Sequence, residues 1–255
     1  MTRHMLVIGG QRCGTTYLHG LLDWHPEITM ARPARPEPKV FLSDELSARG
    51  REWYRRTYFA HATDEALLGE KSTSYIEDAE APARVQRVLG VTECVVLLRD
   101  PVERAVSNWR FSTDHGIETR PLEVALRQNL EGPTDWSGLL TSVSPFAYLE
   151  RGRYLDYLEP WLQAFPSNSH VFFLQELAGD RHTLQRLFRA LGVADNVRPP
   201  GVAQPMNQSH EGRPPLTMEL TNALREYFAD SDAALSRRLG RALPWPTLKM
   251  GLNHG

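Results

Sequence analysis

A glycine-containing segment near the start of the chain has the composition of an anion-binding loop. Residues 9–16 read Gly-Gly-Gln-Arg-Cys-Gly-Thr-Thr and lie between an apolar run and an amphipathic stretch. Glycines let the backbone curl so that several N–H groups face one anion, and the N-terminus of a following helix adds partial positive charge. Thr15 and Thr16 add hydroxyl donors, and Arg12 adds a cation from within the loop. The segment predicts a phosphate-binding loop, with an ordinary strand-to-helix turn as the alternative.

The spacing of this loop is close to that of a nucleoside-triphosphate loop, with one difference. Such a loop has two glycines separated by four residues, followed by a lysine and a hydroxyl residue. Gly9 and Gly14 have that separation here, but Thr15 stands where the lysine would be. An enzyme that hydrolyses ATP would lack its main contact to the β- and γ-phosphates. The loop therefore suits a 5′-phosphate group better than a triphosphate.

A second candidate anion site follows the apolar run at residues 93–98. Arg99 comes directly after this predicted strand, at the end where open α/β sheets bind ligands. Ser107 follows within the next predicted helix, about two turns from its start. One guanidinium and one hydroxyl can converge on a phosphate there. Taken singly, a surface arginine and a solvated helical serine are the simpler interpretations.

These two segments resemble motifs of the sulfotransferases that use 3′-phosphoadenosine-5′-phosphosulfate (PAPS). Residues 11–16 resemble the family's 5′-phosphosulfate loop, and residues 99–107 resemble its 3′-phosphate motif. The resemblance is strongest to the heparan-sulfate-type enzymes and their bacterial relatives, and it covers about residues 5–246. It implies that PAPS is the sulfuryl donor, that 3′-phosphoadenosine-5′-phosphate (PAP) is the product, and that no metal is needed.

The resemblance also implies a set of site residues. Glu37 lies in a segment, residues 37–41, that is similar to the family's glutamate-containing segment, so Glu37 is the candidate general base. Lys71 lies in a similar Glu-Lys-Ser segment and, with Arg12, completes the catalytic candidates, while Glu70 is the next candidate base. The nucleotide-binding candidates are Arg12, Cys13, Gly14, Thr15, Thr16, Arg99, Ser107, Ser209, Gly212 and Arg213.

Two positions depart from the family's pattern. Arg12 stands where the family has a catalytic lysine in the first loop. Because arginine stays protonated, we expect it to stabilise charge on the leaving phosphate and not to donate a proton. In the late loop, His210 and Glu211 precede Gly212 where a lysine would be expected.

The elements that must position these residues follow from the alternation of short apolar runs and longer amphipathic ones. This pattern predicts an α/β fold with a central parallel sheet flanked by helices. The resemblance implies a P-loop-like sulfotransferase fold in a single domain over residues 1–255. We predict strands at residues 5–9, 93–98 and 170–174, and helices at residues 15–24, 43–59, 102–113, 122–129, 147–164, 181–191 and 217–240. The prolines of residues 32–38 exclude regular structure there.

Composition limits the function classes. The net charge is −2, which gives no global attraction to nucleic acid or to an anionic membrane. The sequence has no apolar stretch long enough for a transmembrane helix and no apolar run before the first predicted strand, so we expect neither a transmembrane segment nor a secretory leader. Two cysteines, Cys13 and Cys94, are predicted to be reduced thiols, so we expect a cytoplasmic protein.

Two other functions remain open from the sequence. A P-loop kinase of a small metabolite would use Asp100, after an apolar strand, as its magnesium-binding acid. A nucleotide-binding protein without catalysis is the second alternative, because Arg12 replaces the family's lysine. The acceptor is a small molecule, with a saccharide or glycosylated metabolite suggested by the resemblance. The sequence does not distinguish O- from N-sulfation and does not indicate the oligomeric state.

Overall fold

The computed structural model describes residues 3–137, 144–197 and 216–248. The described residues form two compact units. The first comprises residues 3–98 and 157–197, and the second comprises residues 99–137, 144–156 and 216–248. A single functional domain over residues 1–255 stays a prediction. Within the described ranges, no helix has the length and apolar character needed to cross a membrane.

The first unit is built on a five-stranded parallel sheet. Its strands are β1 (Arg3–Gly9), β2 (Ile28–Met30), β3 (Leu67–Lys71), β4 (Glu93–Leu98) and β5 (Ser169–Phe173). They lie in the order β2-β3-β1-β4-β5, and every pairing is parallel. The predicted α/β fold with a central parallel sheet is therefore confirmed.

Ten helices accompany these strands in the described parts of the chain. They are α1 (Thr15–Asp23), α2 (Asp44–Ser47), α3 (Gly50–Tyr58), α4 (Ala81–Leu89), α5 (Pro101–Asp114), α6 (Leu122–Glu131), α7 (Tyr154–Ala164), α8 (Leu174–Gly179), α9 (Arg181–Ala190) and α10 (Met218–Leu239). Short 3₁₀ turns lie at Val40–Leu42, Tyr75–Glu77 and Glu150–Gly152.

The sheet of the first unit is covered on both faces because side chains alternate along each strand. Met5 and Val7 of β1 belong to an apolar cluster that includes residues of α1, α8 and α9. His4, on the opposite face of β1, contacts the rings of Tyr54 and Phe59. A strand that is buried on both faces appears in the sequence as a continuous apolar run, and β1 and β4 could be predicted for this reason.

The second unit has a separate helical core. Apolar residues of α5, α6 and α10 pack together, among them Val102, Leu126 and Phe228. Gly152 lies against the Phe228 ring so closely that a Cβ there would come within 2.6 Å of it. The helix α10 begins at the Thr217 cap, whose hydroxyl accepts the N–H of Leu220.

The structure differs from the sequence prediction at several elements. Strands β2 and β3 and helices α4 and α8 were not predicted. The predicted helix at residues 43–59 is two helices, α2 and α3, because the chain turns at Gly50, whose φ is +77°. The predicted helix at residues 147–164 begins only at Tyr154, after a 3₁₀ turn. The other predicted elements agree within a few residues.

Candidate active site

The glycine-containing loop connects β1 to α1 as predicted. The N–H of Gly10 donates to the Leu97 carbonyl of β4 at 2.8 Å, which fixes the start of the loop. Gly14 caps α1 with φ +86°, a left-handed conformation that suits glycine. The first N–H groups of a helix have no carbonyl acceptor within it, and Gly14 has no side chain to cap them. The loop therefore presents backbone donors at a helix N-terminus, as an anion site requires.

The side chains of the loop have different exposure. Cys13 is buried, and its thiol contacts the Gln11 carbonyl at 3.6 Å, so it can serve a nucleotide only through its backbone. Thr15 is buried and Thr16 is partly buried. Arg12 has φ +64°, a conformation that is uncommon for a residue with a side chain and that clusters at ligand-binding sites.

The structure brings two of the predicted catalytic residues together. Lys71 Nζ donates to Glu37 Oε1 in an ion pair whose side chains are 9% and 17% exposed, respectively. The other oxygen, Oε2, accepts the Thr73 N–H at 3.0 Å and lies 3.3 Å from the Thr73 hydroxyl. The carboxylate is thus oriented from two sides while part of its surface remains accessible.

This ion pair lies beside the strand that leads into the loop. Lys71 is the last residue of β3 and is paired with Val7 of β1, two residues before β1 ends at Gly9. The Ser72 N–H continues the ladder by donating to the Val7 carbonyl at 3.1 Å. Since carboxyl ends of parallel strands meet at one edge of a sheet, the pair and the loop share that edge.

His19 of α1 belongs to the same neighbourhood and was missed by sequence reasoning. Burial lowers its pKa, and the charges of Lys71 and Arg32 lower it further, against the opposing influence of Asp23 and Glu37. These interactions place the imidazole within electrostatic range of the Glu37–Lys71 pair. Its position one helical turn after Thr15 is the signal that could have found it.

Glu70, the next candidate base in the sequence, has a different environment. Its side chain is 0% exposed, and it accepts hydrogen bonds from Tyr54 at 2.6 Å, Ser72 at 2.6 Å and Tyr75 at 2.7 Å. Burial raises the pKa of this carboxyl. A carboxyl group enclosed in this way cannot contact an acceptor, so Glu37 is the better candidate.

The residues of the second motif lie in the second unit. The Arg99 guanidinium donates to Glu103 at 2.9 Å, and its backbone carbonyl accepts the Tyr154 hydroxyl at 2.7 Å. Ser107 lies on α5 and is partly buried. The arginine is thus oriented by a helical neighbour, and an incoming anion would compete with the Glu103 carboxylate for it.

Asp100 has contacts that oppose its use as a magnesium-binding acid. It caps α5 by accepting the Val102 N–H, and it forms a two-bond pair with Arg225 of α10 at 2.9 and 2.6 Å. Both oxygens are therefore engaged by protein donors. This is the environment of a structural ion pair and weakens the kinase interpretation.

Three predicted nucleotide residues, Ser209, Gly212 and Arg213, lie outside the described residues. Within the described ranges, no three His, Cys, Asp or Glu side chains are grouped so as to hold a metal ion. The metal-independent reaction stays a prediction.

The chain matches a known sequence family and known folds. The profile described as "Sulfotransferase domain" matches residues 2–198. A solved sulfotransferase from Alicyclobacillus acidocaldarius superposes with a TM-score of 0.76 at 22% identity, covering 95% of this chain and 97% of the other. A mouse sulfotransferase, SULT7A1, solved with PAP, has a TM-score of 0.59 at 14% identity, covering 93% and 88%. These likenesses support the P-loop-like sulfotransferase fold.

Curated relatives agree with this assignment. Heparan sulfate glucosamine 3-O-sulfotransferase 3A1 of Mus musculus is 30% identical over 167 residues, which is 66% of this chain and 39% of the relative. The human 3B1 enzyme is 25% identical over 94% of this chain and 64% of its own length. The chain thus spans less than two thirds of the length of these relatives. Since the family profile matches more than half of the sequence, the chain belongs to the sulfotransferase domain family.

Proposed function

We propose that this chain transfers a sulfuryl group from PAPS to a hydroxyl or amine of a small acceptor. The observation that carries the proposal is the Glu37–Lys71 ion pair at the edge of the sheet beside the phosphate-type loop. A partly exposed carboxylate next to an anion-binding loop supplies a proton acceptor where an activated sulfuryl group would be held.

The reaction needs in-line attack at sulfur. The acceptor oxygen or nitrogen forms a bond to sulfur, and the bond between sulfur and the bridging oxygen of PAPS breaks. The electron pair of that bond stays on the phosphate of PAP, while the acceptor's proton passes to Glu37. Lys71 keeps the carboxylate oriented before the reaction and can contact a sulfuryl oxygen as the proton arrives.

The loop would stabilise the leaving phosphate. The N–H groups at the start of α1 face the place where charge accumulates, and Arg12 adds a permanent cation. Arg12 therefore has an electrostatic role in this proposal. The 3′-phosphate is assigned to Arg99 and Ser107, where the phosphate would replace Glu103 as the partner of Arg99.

The acceptor class is proposed from the relatives. Two curated relatives are named for heparan sulfate glucosamine, so we propose a saccharide or glycosylated metabolite as acceptor. Methyl glucoside offers only hydroxyl groups and glucosamine also offers an amine, so the two together probe O- and N-sulfation. We place the enzyme in the cytoplasm in this proposal.

The decisive test is Glu37→Gln. The variant keeps the shape of the side chain and removes its basicity, so we expect turnover to fall about 10²–10⁴-fold. PAP affinity, measured by calorimetry, should be nearly unchanged because the loops hold the phosphates. A variant with normal turnover would reject Glu37 as the base, and loss of PAP binding would make it a structural residue.

The nucleotide preference separates this proposal from its alternatives. PAP should bind well without metal and AMP much more weakly, and transfer should survive excess EDTA. Tighter binding of ATP with magnesium, together with phosphoryl transfer, would instead support the kinase. PAP binding without transfer to any acceptor would support a non-catalytic protein.

A further inference from the structure

The buried carboxylate of Glu70 has no part in the proposed chemistry, yet it is the centre of a hydrogen-bond network. It precedes Lys71 on β3, so the two side chains point to opposite faces of the sheet. Three hydroxyl groups donate to it, from Tyr54, Ser72 and Tyr75. Burial raises the pKa of Tyr54 and Tyr75 well above the usual range, so both phenols stay protonated as donors.

Two of these hydroxyls have a second contact, and both contacts are with the Glu37 segment. The Ser72 hydroxyl accepts the backbone N–H of Lys39 at 2.9 Å, and the Tyr75 hydroxyl accepts that of Phe41 at 3.2 Å. Lys39 has φ +52°, a left-handed conformation that a residue with a side chain keeps only where its surroundings hold it. The network therefore fixes the backbone at Lys39 and Phe41, just after Glu37.

The direction of each hydrogen bond explains why a carboxylate is used. A hydroxyl has one proton, and here that proton is directed to Glu70. Its lone pairs are then left to accept a backbone N–H. Hydrogen bonds arranged in such a chain also strengthen one another. Without an acceptor at position 70, the hydroxyls would be released to rotate.

We propose that Glu70 is a positioning residue, which acts through Ser72 and Tyr75 to hold Glu37 in the orientation required of the base. This inference rests on the proposed function of Glu37. It assigns no contact between Glu70 and the substrate.

Tyr54 and Tyr75 provide a matched pair of variants. Both are buried tyrosines that donate to Glu70 at nearly equal distances, but only Tyr75 also accepts an N–H of the Glu37 segment. Tyr75→Phe should lower kcat about 10- to 100-fold, the effect of a small misplacement of a catalytic group. Tyr54→Phe should leave kcat within about twofold. The two variants should lose similar thermal stability, and PAP affinity should be unchanged in both.

Amide hydrogen exchange gives a readout that does not depend on the acceptor. Tyr75→Phe should speed exchange at Phe41, Ser72→Ala should speed it at Lys39, and Tyr54→Phe should do neither. Glu70→Met, which removes both acceptor oxygens, should speed both. Ser72→Ala also serves as the second variant if Tyr75→Phe fails to fold.

The combination of Glu70→Met with Tyr75→Phe tests whether the two residues act as one unit. The loss in kcat should then be smaller than the product of the single losses. Equal turnover and equal exchange in Tyr54→Phe and Tyr75→Phe would overturn the positioning role. Normal turnover of Glu37→Gln would instead overturn the proposed function. Faster exchange at Lys39 and Phe41 in Glu70→Met would still show that the hydrogen-bond network holds this segment.

Discussion

The two units of the molecule accommodate buried carboxylates in opposite ways. In the first unit, Glu70 is satisfied by three neutral hydroxyl groups. In the second, Asp100 is satisfied by the Arg225 guanidinium and by backbone N–H groups at the start of α5. One carboxyl group thus lies in a shell of neutral donors, where burial raises its pKa, whereas the other is paired with a cation.

The difference has a physical meaning for the candidate site. Neutral donors can orient a carboxylate without bringing another cation close to Lys71, so Lys71 remains available to Glu37. The Asp100–Arg225 pair joins α5 to α10, and removal of one member leaves the other charge buried and unpaired. The neutral network around Glu70 can position the Glu37 segment, whereas the Asp100–Arg225 pair stabilises its own unit.

The largest expected effect is on the charged pair. Asp100→Ala removes the cap of α5 and leaves Arg225 without its carboxylate, which should lower the free energy of unfolding by about 3–5 kcal/mol. Urea unfolding measures the change. Adding Arg225→Met should restore part of the loss, because the unpaired charge is then gone. Additive losses in this double-mutant cycle would contradict a coupled pair.

His4 gives the first unit a stability that depends on pH. Burial, with help from Arg51 and Arg55, lowers the pKa of His4 from 6.5 to about 4. The folded state therefore favours the neutral ring. This stability is complete above pH 6.5 and is lost as the pH falls towards 4. At about 1.4 kcal/mol per pKa unit, the loss is up to about 3 kcal/mol.

Urea unfolding between pH 4 and 7 tests this expectation. His4→Phe should lose less stability than the parent protein on acidification, whereas His182→Gln, a change at an exposed histidine, should match the parent. An unchanged slope in His4→Phe would assign the pH dependence to another group.

Asp232 should give the second unit a slope of the opposite sign. Burial raises the pKa of Asp232 from 3.8 to about 6, although the Trp245 N–H and Arg225 favour the ionised form. The folded state then favours the protonated carboxyl, so stability falls as the pH rises from 3.8 to 6, by up to about 3 kcal/mol.

Asp232→Asn should remove this fall while keeping an acceptor for Trp245. When the free energy of unfolding is plotted against pH, His4→Phe and Asp232→Asn should deviate from the parent protein in opposite directions. Deviations in the same direction would contradict the opposite effects assigned to His4 and Asp232.

The smallest expected effect is at a neutral cap of the second unit. Thr217 caps α10 through a hydroxyl, the same task that Asp100 performs for α5 with a charge. Thr217→Ala should lower stability by about 1 kcal/mol. Thermal unfolding should show a change well below that of Asp100→Ala. A comparable loss would mean that the Arg225 partner adds little.

The sequence predicted the parts of the fold that have strong local signals. β1, β4 and β5 are apolar runs, and α5 begins with a proline after an aspartate cap. β3 was missed because Gly69, Glu70 and Lys71 do not resemble a buried strand. The break between α2 and α3 had a signal in Gly50, whose left-handed conformation ends helical regularity.

The candidate site was predictable residue by residue but not as an arrangement. Glu37 and Lys71 were identified separately, and their pairing depends on the register of β3 against β1, which no local pattern encodes. Glu70 was considered as a base because its strand was not recognised. Alternation along β3 would have placed it on the face opposite Lys71. Two of its hydroxyl partners, Ser72 and Tyr75, follow within five residues, and Tyr54 comes from helix α3.

Gly14 limits the amino-acid substitutions that the loop can accept. A Cβ at this position would approach Leu174 within 2.7 Å, and the backbone conformation would still be left-handed. A smaller residue at position 174 would relieve the first conflict but leave the second, which costs a residue with a side chain about 1–2 kcal/mol. No single substitution at Gly14, nor its combination with a change at Leu174, is therefore neutral. We therefore expect substitutions in this loop to be tolerated at positions other than Gly14.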